Sequence, residues 1–369
     1  MNQLFRWDQM GLFLLALAAG ILPFAVPEVC AAALREGLTL CSGPLLLSLF
    51  PFLVVSRLLV QCPESDLLAM PFRLAAWGIG IRTPCAARVL CIGFLGGFAP
   101  AASAAAQAVR TGQLTAEEAD ALLPACICSG PSFVVLTVGQ SLLGSAELGV
   151  LLFASQITAN YLTAALLNRF AGVRSAKPGS AAPASPAPPR LDEILADAAI
   201  TYCKLCGFIL FFRMLAAGAG ALLPAGAGTL CAILLEVCSG CDLASRTGRW
   251  GSLLCCAALS VQGLSVLLQV RTICPPEMTL RPLYRARMLH LPLSLALFYL
   301  LLPGGEADVF STLPARVFLM RRVPPDCALL VFAVCCMAAC TLRSGIRQVE
   351  QKQMARNAGG CCINSKTLL

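Results

Sequence analysis

The chain of 369 residues is 58% hydrophobic and only 12% charged, with a mean hydropathy of +0.80. No soluble domain of this length can hide so much apolar surface in one core, so the composition excludes an ordinary water-soluble fold and points to lipid as the solvent. The net charge of +8 is scattered through short loops rather than set in a stripe. That pattern argues for positive-inside membrane topology and against nucleic acid as a partner.

A helical span needs about 20 mostly apolar residues. In chain order, candidates are Gln9–Leu34, Gly43–Gln61, Leu148–Phe170, Ala198–Leu223, Met288–Leu302 and Cys327–Leu342. The stretches 67–111, 125–147, 228–246 and 251–271 are also apolar but are interrupted by Gly, Pro and polar residues. Runs this long exclude the ~10-residue alternation of a β-barrel. The expected fold is therefore an all-α, polytopic transmembrane helical bundle. The first span resembles a signal peptide, but its apolar run is long and no A-x-A-like site follows, so it reads as a retained helix. Arg169, Arg174, Lys177 and Arg190, and the tail residues Arg343, Arg347, Lys352, Arg356 and Lys366, place the centre and the C-terminus in the cytoplasm; Arg316, Arg321 and Arg322 count against that topology.

"AKPGSAAPASPAPP" (Ala176–Pro189) has no apolar periodicity and reads as a flexible or PPII-like tether. On each side of it the same parts occur. The first half runs from helix 43–61 through breaks at 93–103 and 128–133 to helix 148–170. The second runs from helix 198–223 through 236–245 and 260–270 to helix 288–302. The chain so divides into an N-terminal transmembrane helix (1–42), a first membrane repeat (43–172), a linker (173–192), a second repeat (193–305), a loop with a C-terminal transmembrane helix (306–343) and a cytoplasmic tail (344–369). Broken apolar segments at matching places point to two inverted repeats whose broken or re-entrant helices face a cavity at the bilayer midplane. The competing explanation is that Gly and Ala only permit close helix packing. Gly96, Gly97, Pro100, Pro131, Gly240 and Gly263 are the expected breaks. After the first break, Thr115 and Glu118 form a T-x-x-E capping box, with Glu117, Glu118 and Asp120 read as a solvated first turn.

The 21 cysteines lie mostly within apolar spans, where a thiol packs as a small hydrophobe. Cys203/Cys206 and Cys238/Cys241 form CxxC patterns, but the chain has a single histidine, His290, and no fourfold metal-ligand set is apparent. No metal and no cofactor is expected.

"SLFPFLVVSRLLV" (48–60), "GGFAPAAS" (96–103), "GQLTAEEADALLPACICSGPSF" (112–133), "LEVCSGCDLAS" (235–245), "QGLSVLLQV" (262–270) and "PLYRARMLH" (282–290) resemble, in this order, the YlbJ family of sporulation integral membrane proteins. The likeness covers roughly residues 43–300. It implies a membrane protein of the nucleoside-recognition or Gate-domain kind, related in outline to concentrative nucleoside transporters, with a role in endospore formation. It further implies a location in the bacterial cell membrane or a forespore-associated membrane. The chain departs from the family where S-G-Y-P-V-G-A-K becomes G-G-F-A-P-A-A-S, with Ala101 for the second Gly and Ser103 for the Lys. It departs again where an Asn pair before "SGP" is replaced by Ile127 and Cys128. The first half has thus lost polar groups, whereas the second keeps Glu236, Gly240, Gln262, Gly263, Ser265, Gln269 and Arg287.

Glu236 is the strongest single signal, because a carboxylate deep in an apolar run faces a cavity, a partner or a coupling cation. The structural alternative pairs it with Arg213, where the family more often has a small polar residue. Gln262, Ser265 and Gln269 recur at helical spacing and are expected on one inward face, for a ligand or for interhelical hydrogen bonds. Ser129, Gly130 and Ser132 flank Pro131, where free N–H groups suit an anion; Ser132 and Gln140 complete the first-half candidates. Arg57 reads as a snorkelling residue at a helix end. No nucleophile–base pair and no phosphate loop is present, so no enzyme is expected. The reading is a transporter of an unknown small solute, with a possible coupling ion, embedded in the lipid bilayer. A non-transporting scaffold or sensor is the alternative, and an intramembrane enzyme a weaker third.

Overall fold

The computed structural model describes residues 2–61, 63–172 and 191–302. The span expected at Cys327–Leu342, the linker core and the C-terminal tail lie outside the described residues. Within them the chain is helical, with no strand.

The chain opens with α1 (Asn2–Ala25) and α2 (Pro27–Ser42), bent by 110° at Val26. The continuous helix expected over Gln9–Leu34 is thereby corrected to a bent pair. Pro27 lacks the N–H that would continue α1 and pushes the preceding residue out of the helical region, so it starts a new helix instead. Next come α3 (Pro44–Gln61), α4 (Met70–Gly78), α5 (Pro84–Gly96) and α6 (Phe98–Arg110). They are followed by α7 (Ala116–Cys126), a π-helix over Ser132–Leu142, and α8 (Ala146–Ala171). After the linker stand α9 (Leu191–Leu222), α10 (Ala225–Leu235), α11 (Val237–Ser245), α12 (Gly251–Val261), α13 (Gly263–Ile273) and α14 (Arg281–Leu301).

Local chemistry sets many of the ends. The Thr115 hydroxyl accepts from Glu118 N while the Glu118 carboxylate accepts from Thr115 N, so the expected capping box starts α7. Ser145 caps α8 by accepting from Leu148 N, and Gly172 closes it in the left-handed conformation.

Three helices, Ala146–Ala171, Leu191–Leu222 and Gly248–Ile273, are long and apolar enough to cross a membrane, or four if the bent pair formed by α1 and α2 counts as one span. The third runs through the break between α12 and α13 and includes the 3₁₀ turn Gly248–Trp250. The expected span at Met288–Leu302 belongs to α14, which starts seven residues earlier and carries Arg281, Arg285 and Arg287. It is not among those three. Leu162, Leu166, Phe170, Ile200, Leu230, Leu234, Tyr299 and Leu300 point outward, an arrangement compatible with a lipid-facing surface.

The bundle is centred on α6. Its alanines 99, 101, 102, 104, 105, 106 and 108 are all buried, and α3, α5, α7 and α13 pack around it. A helix built from the smallest side chains lets four neighbours approach its backbone, so the packing explanation for this stretch holds along most of α6. α5 packs along α6, and α10 along α11. α8 lies against α14, and α3 against α9, joining the parts before and after the linker.

Candidate functional site

Four helix interruptions meet inside the bundle: Gly97 between α5 and α6, Ile127–Gly130 between α7 and the π-helix, Glu236 between α10 and α11, and Gln262 between α12 and α13. They touch in pairs. A Cβ on Gly97 would lie 2.7 Å from Gly130 N, and one on Gly263 would lie 2.9 Å from Glu236 N. Both glycines have positive φ, +80° and +69°. Gly97→Ala and Gly263→Ala are each expected to lower unfolding stability by about 1–3 kcal/mol. Gly112→Ala, also at positive φ but facing open space, should cost less; equal losses at all three sites would deny the close approach.

Several expected breaks are corrected here. Pro100 does not break a helix: it is the third residue of α6, within the first turn, where its missing N–H has no partner to lose. Pro131 is the cap residue of the π-helix, just beyond the break. Gly240 lies inside α11, where its bare Cα allows α11 to approach Ile233 of α10. Gly96 is the last residue of α5 and Gly263 the first of α13, each beside a break.

Glu236 is 2% exposed and caps α11 with its own side chain, each carboxylate oxygen accepting one backbone N–H: Cys238 N at 2.8 Å and Ser239 N at 2.7 Å. The helix N-terminus supplies a partial positive charge at the same place. Among the described residues Glu236 has no ion-pair partner; Arg213 pairs instead with Glu36 on α2, at 2.6 Å. The alternative of a Glu236–Arg213 pair is therefore excluded in this conformation.

A cavity of about 80 Å³ opens between the breaks. Its polar lining comes from Ser129, Gly130, Ser132, Glu236 and Gln269, and its apolar wall includes Phe52, Phe98 and Ile209. By the roughly 10–15 Å³ that one water needs, it has room for several waters. The candidates from before and after the linker are thus brought to one place. Gln262 stands just behind, in the left-handed conformation (φ 66°), donating to the Leu259 carbonyl at 2.6 Å and to Ser129 Oγ at 3.2 Å across the two halves. The Oε1 atoms of Gln262 and Gln269 are buried without a protein partner.

Two candidates are elsewhere. Gln140 is exposed on the π-helix and does not line the cavity. Ser265 is buried on α13 and accepts from Gln269 Nε2 at 2.9 Å without itself lining the cavity. The expected common face of Gln262, Ser265 and Gln269 is split, because Gln262 is the break residue and only the other two share a helix.

Behind the breaks lies a polar network of which sequence reasoning named Arg287 but missed its partners. Arg287 of α14 donates to the carbonyls of Ile127 and Ser260, at the ends of α7 and α12. Asn160 of α8 also donates to Ile127, at 3.3 Å, and Gln156 to Ser260 Oγ, at 2.9 Å. Gln156 and Asn160 stand one turn apart in an apolar 26-residue helix, the same signal that singled out Gln269. Asp120 is also no solvated acid: it is buried and accepts from Thr279 N, Thr279 Oγ1 and Leu280 N.

Among the described residues no three His, Cys, Asp or Glu side chains converge to hold a metal ion. No family model, no curated protein and no solved structure matches the chain.

Proposed function

We propose that this chain is a multi-pass membrane transporter that moves a small solute by alternating access around the four breaks. The observation that carries the reading is the cavity itself: it sits where four interrupted helices meet, and residues from both sides of the linker furnish its polar groups. In this reading α3, α5–α6, α7 with the π-helix, and α8 form one repeat. α9, α10–α11, α12–α13 and α14 form its inverted counterpart, with α5–α6 and α10–α11 as re-entrant hairpins. The order of parts supports the pairing. One detail differs: the glycine of positive φ stands in the hairpin of the first unit but in the broken span of the second. A role in endospore formation rests on the motif resemblance alone.

The alternative is a scaffold or sensor, and the capping by Glu236 favours it, since both carboxylate oxygens already serve the fold. Uptake into proteoliposomes separates the two. With nucleosides, amino acids and small organic acids as labelled solutes, one class should accumulate above empty liposomes and exchange in counterflow. No accumulation of any class, with correctly folded protein in the bilayer, would favour the scaffold.

A further inference from the structure

A second cavity, of about 140 Å³, is lined by α3, α6, α9 and α13. Each of these four helices also lines the central cavity, and each does so in the same order. On α3, Phe52 faces the central cavity and Arg57 the outer one; on α6, Phe98 and then Ser103 and Arg110. On α13 the order is Val266 and then Thr272; on α9, running the other way, Ile209 and then Thr201 and Asp197. Ile209 and Thr201 are about 12 Å apart along the axis of α9. The outer cavity therefore stacks on the central one toward the end of the bundle where α9 begins, and Gln269 lines both.

Across this outer cavity lies Arg57. Its guanidinium pairs with Asp197 of α9 and donates to Ser103 Oγ on α6 at 3.3 Å and to Thr201 Oγ1 at 3.4 Å. The two partners differ sharply in exposure: the Arg57 side chain is 8% exposed and that of Asp197 59%. The cation is thus fixed in the bundle and its carboxylate partner sits at the rim, so the bond between them is a partly solvated one that opens at low cost. Arg57 and Asp197 also lie on opposite sides of the linker in the chain. Any movement that parts α3 from α9 at this end must break their pair.

Resting on the transport reading above, we infer that the outer cavity is the access vestibule of the central cavity and that the Arg57–Asp197 pair is the latch that closes it. Cys238 is a native reporter, since it lines the central cavity and is a free thiol. The protein in lipid nanodiscs is treated with a charged, membrane-impermeant thiosulfonate, and modification is read at each cysteine by peptide mass spectrometry. Asp197→Asn should raise the rate at Cys238 about fivefold, the population shift expected from losing one partly exposed ion pair. Asp197→Glu should restore the wild-type rate, and Cys256, fully buried in α12, should not change in either variant. An unchanged Cys238 rate in Asp197→Asn would overturn the latch, as would a parallel rise at Cys238 and Cys256, which signals general loosening. If the latch fails in this way while solute still accumulates in proteoliposomes, the transport reading stands without it. If Cys238 responds as expected and no solute accumulates, the vestibule stands and the transport reading falls.

Discussion

Arg287→Met is expected to lower the stability of the protein by about 1–3 kcal/mol, because it leaves the buried Ser260 carbonyl without its side-chain donor, while the Ile127 carbonyl keeps only the Asn160 amide. Arg287 is buried, and no carboxylate among the described residues pairs with it; its partners are the Ile127 and Ser260 carbonyls. Those carbonyls stand at the C-terminal ends of α7 and α12, where the aligned peptide dipoles leave partial negative charge. One guanidinium thus offsets two helix ends that the breaks have deprived of their next turn. Methionine fills similar space and keeps the apolar contacts, so the loss isolates the polar role. Lysine keeps the charge but not the planar fork, and should recover only part of the stability. Met288→Ala, one residue along but 80% exposed, is the control and should change stability by less than about 0.5 kcal/mol. Unfolding in mixed micelles reads all three. An Arg287→Met protein as stable as wild type would mean that the α7 and α12 ends find other donors.

Glu236→Ala should cost more, about 2–5 kcal/mol, because two amides rather than one carbonyl lose their partner. The carboxylate holds Cys238 N and Ser239 N inside the bundle, at the wall of the central cavity. Alanine strands both, whereas Glu236→Gln keeps one acceptor and should lose roughly half as much. The series separates cap from charge. If Gln and Ala were equally damaging, the negative charge would matter more than the hydrogen bonds. If both were nearly neutral, the capping geometry would be wrong, and Glu236 would be free for a solute or an ion.

Much of the organisation is legible in the sequence because an interrupted helix buried in a bundle leaves backbone groups that are costly to strand, so the interruptions are marked by residues that tolerate them. All four breaks fall within the stretches that Gly, Pro and polar residues pick out. The capping box of α7 is local chemistry and reads directly. What composition does not resolve is which residue in such a stretch does the breaking. Pro100 and Gly240 look like breaks, yet proline is harmless in a first turn, and a glycine inside α11 serves packing as well as any. Gln262 carries no signal that its backbone is left-handed. Pairings across the chain are equally silent: Arg57 finds Asp197 at 140 positions' distance, and Asp120 finds Thr279 at 159. For Asp120 the local rule misleads: the first turn of α7 holds Glu117 and Glu118, while Asp120 lies just beyond it and is buried.

The central claim is that the cavity at the breaks receives a solute, and Gln269 tests it most directly. Its side chain lines the cavity, and among the described residues it serves no backbone group and makes one hydrogen bond, to Ser265. Gln269→Leu should therefore fold as well as wild type while removing the amide and filling part of the space. Thermal unfolding of the purified protein is measured against nucleosides, amino acids, small organic acids, Na⁺ and divalent cations. A solute at about 100 times its Kd adds about 2.7 kcal/mol of stability. The account predicts that at least one class shifts the wild-type melting temperature and that Gln269→Leu loses the shift without melting lower. A shift kept in full by Gln269→Leu, or no shift with any class, would contradict it.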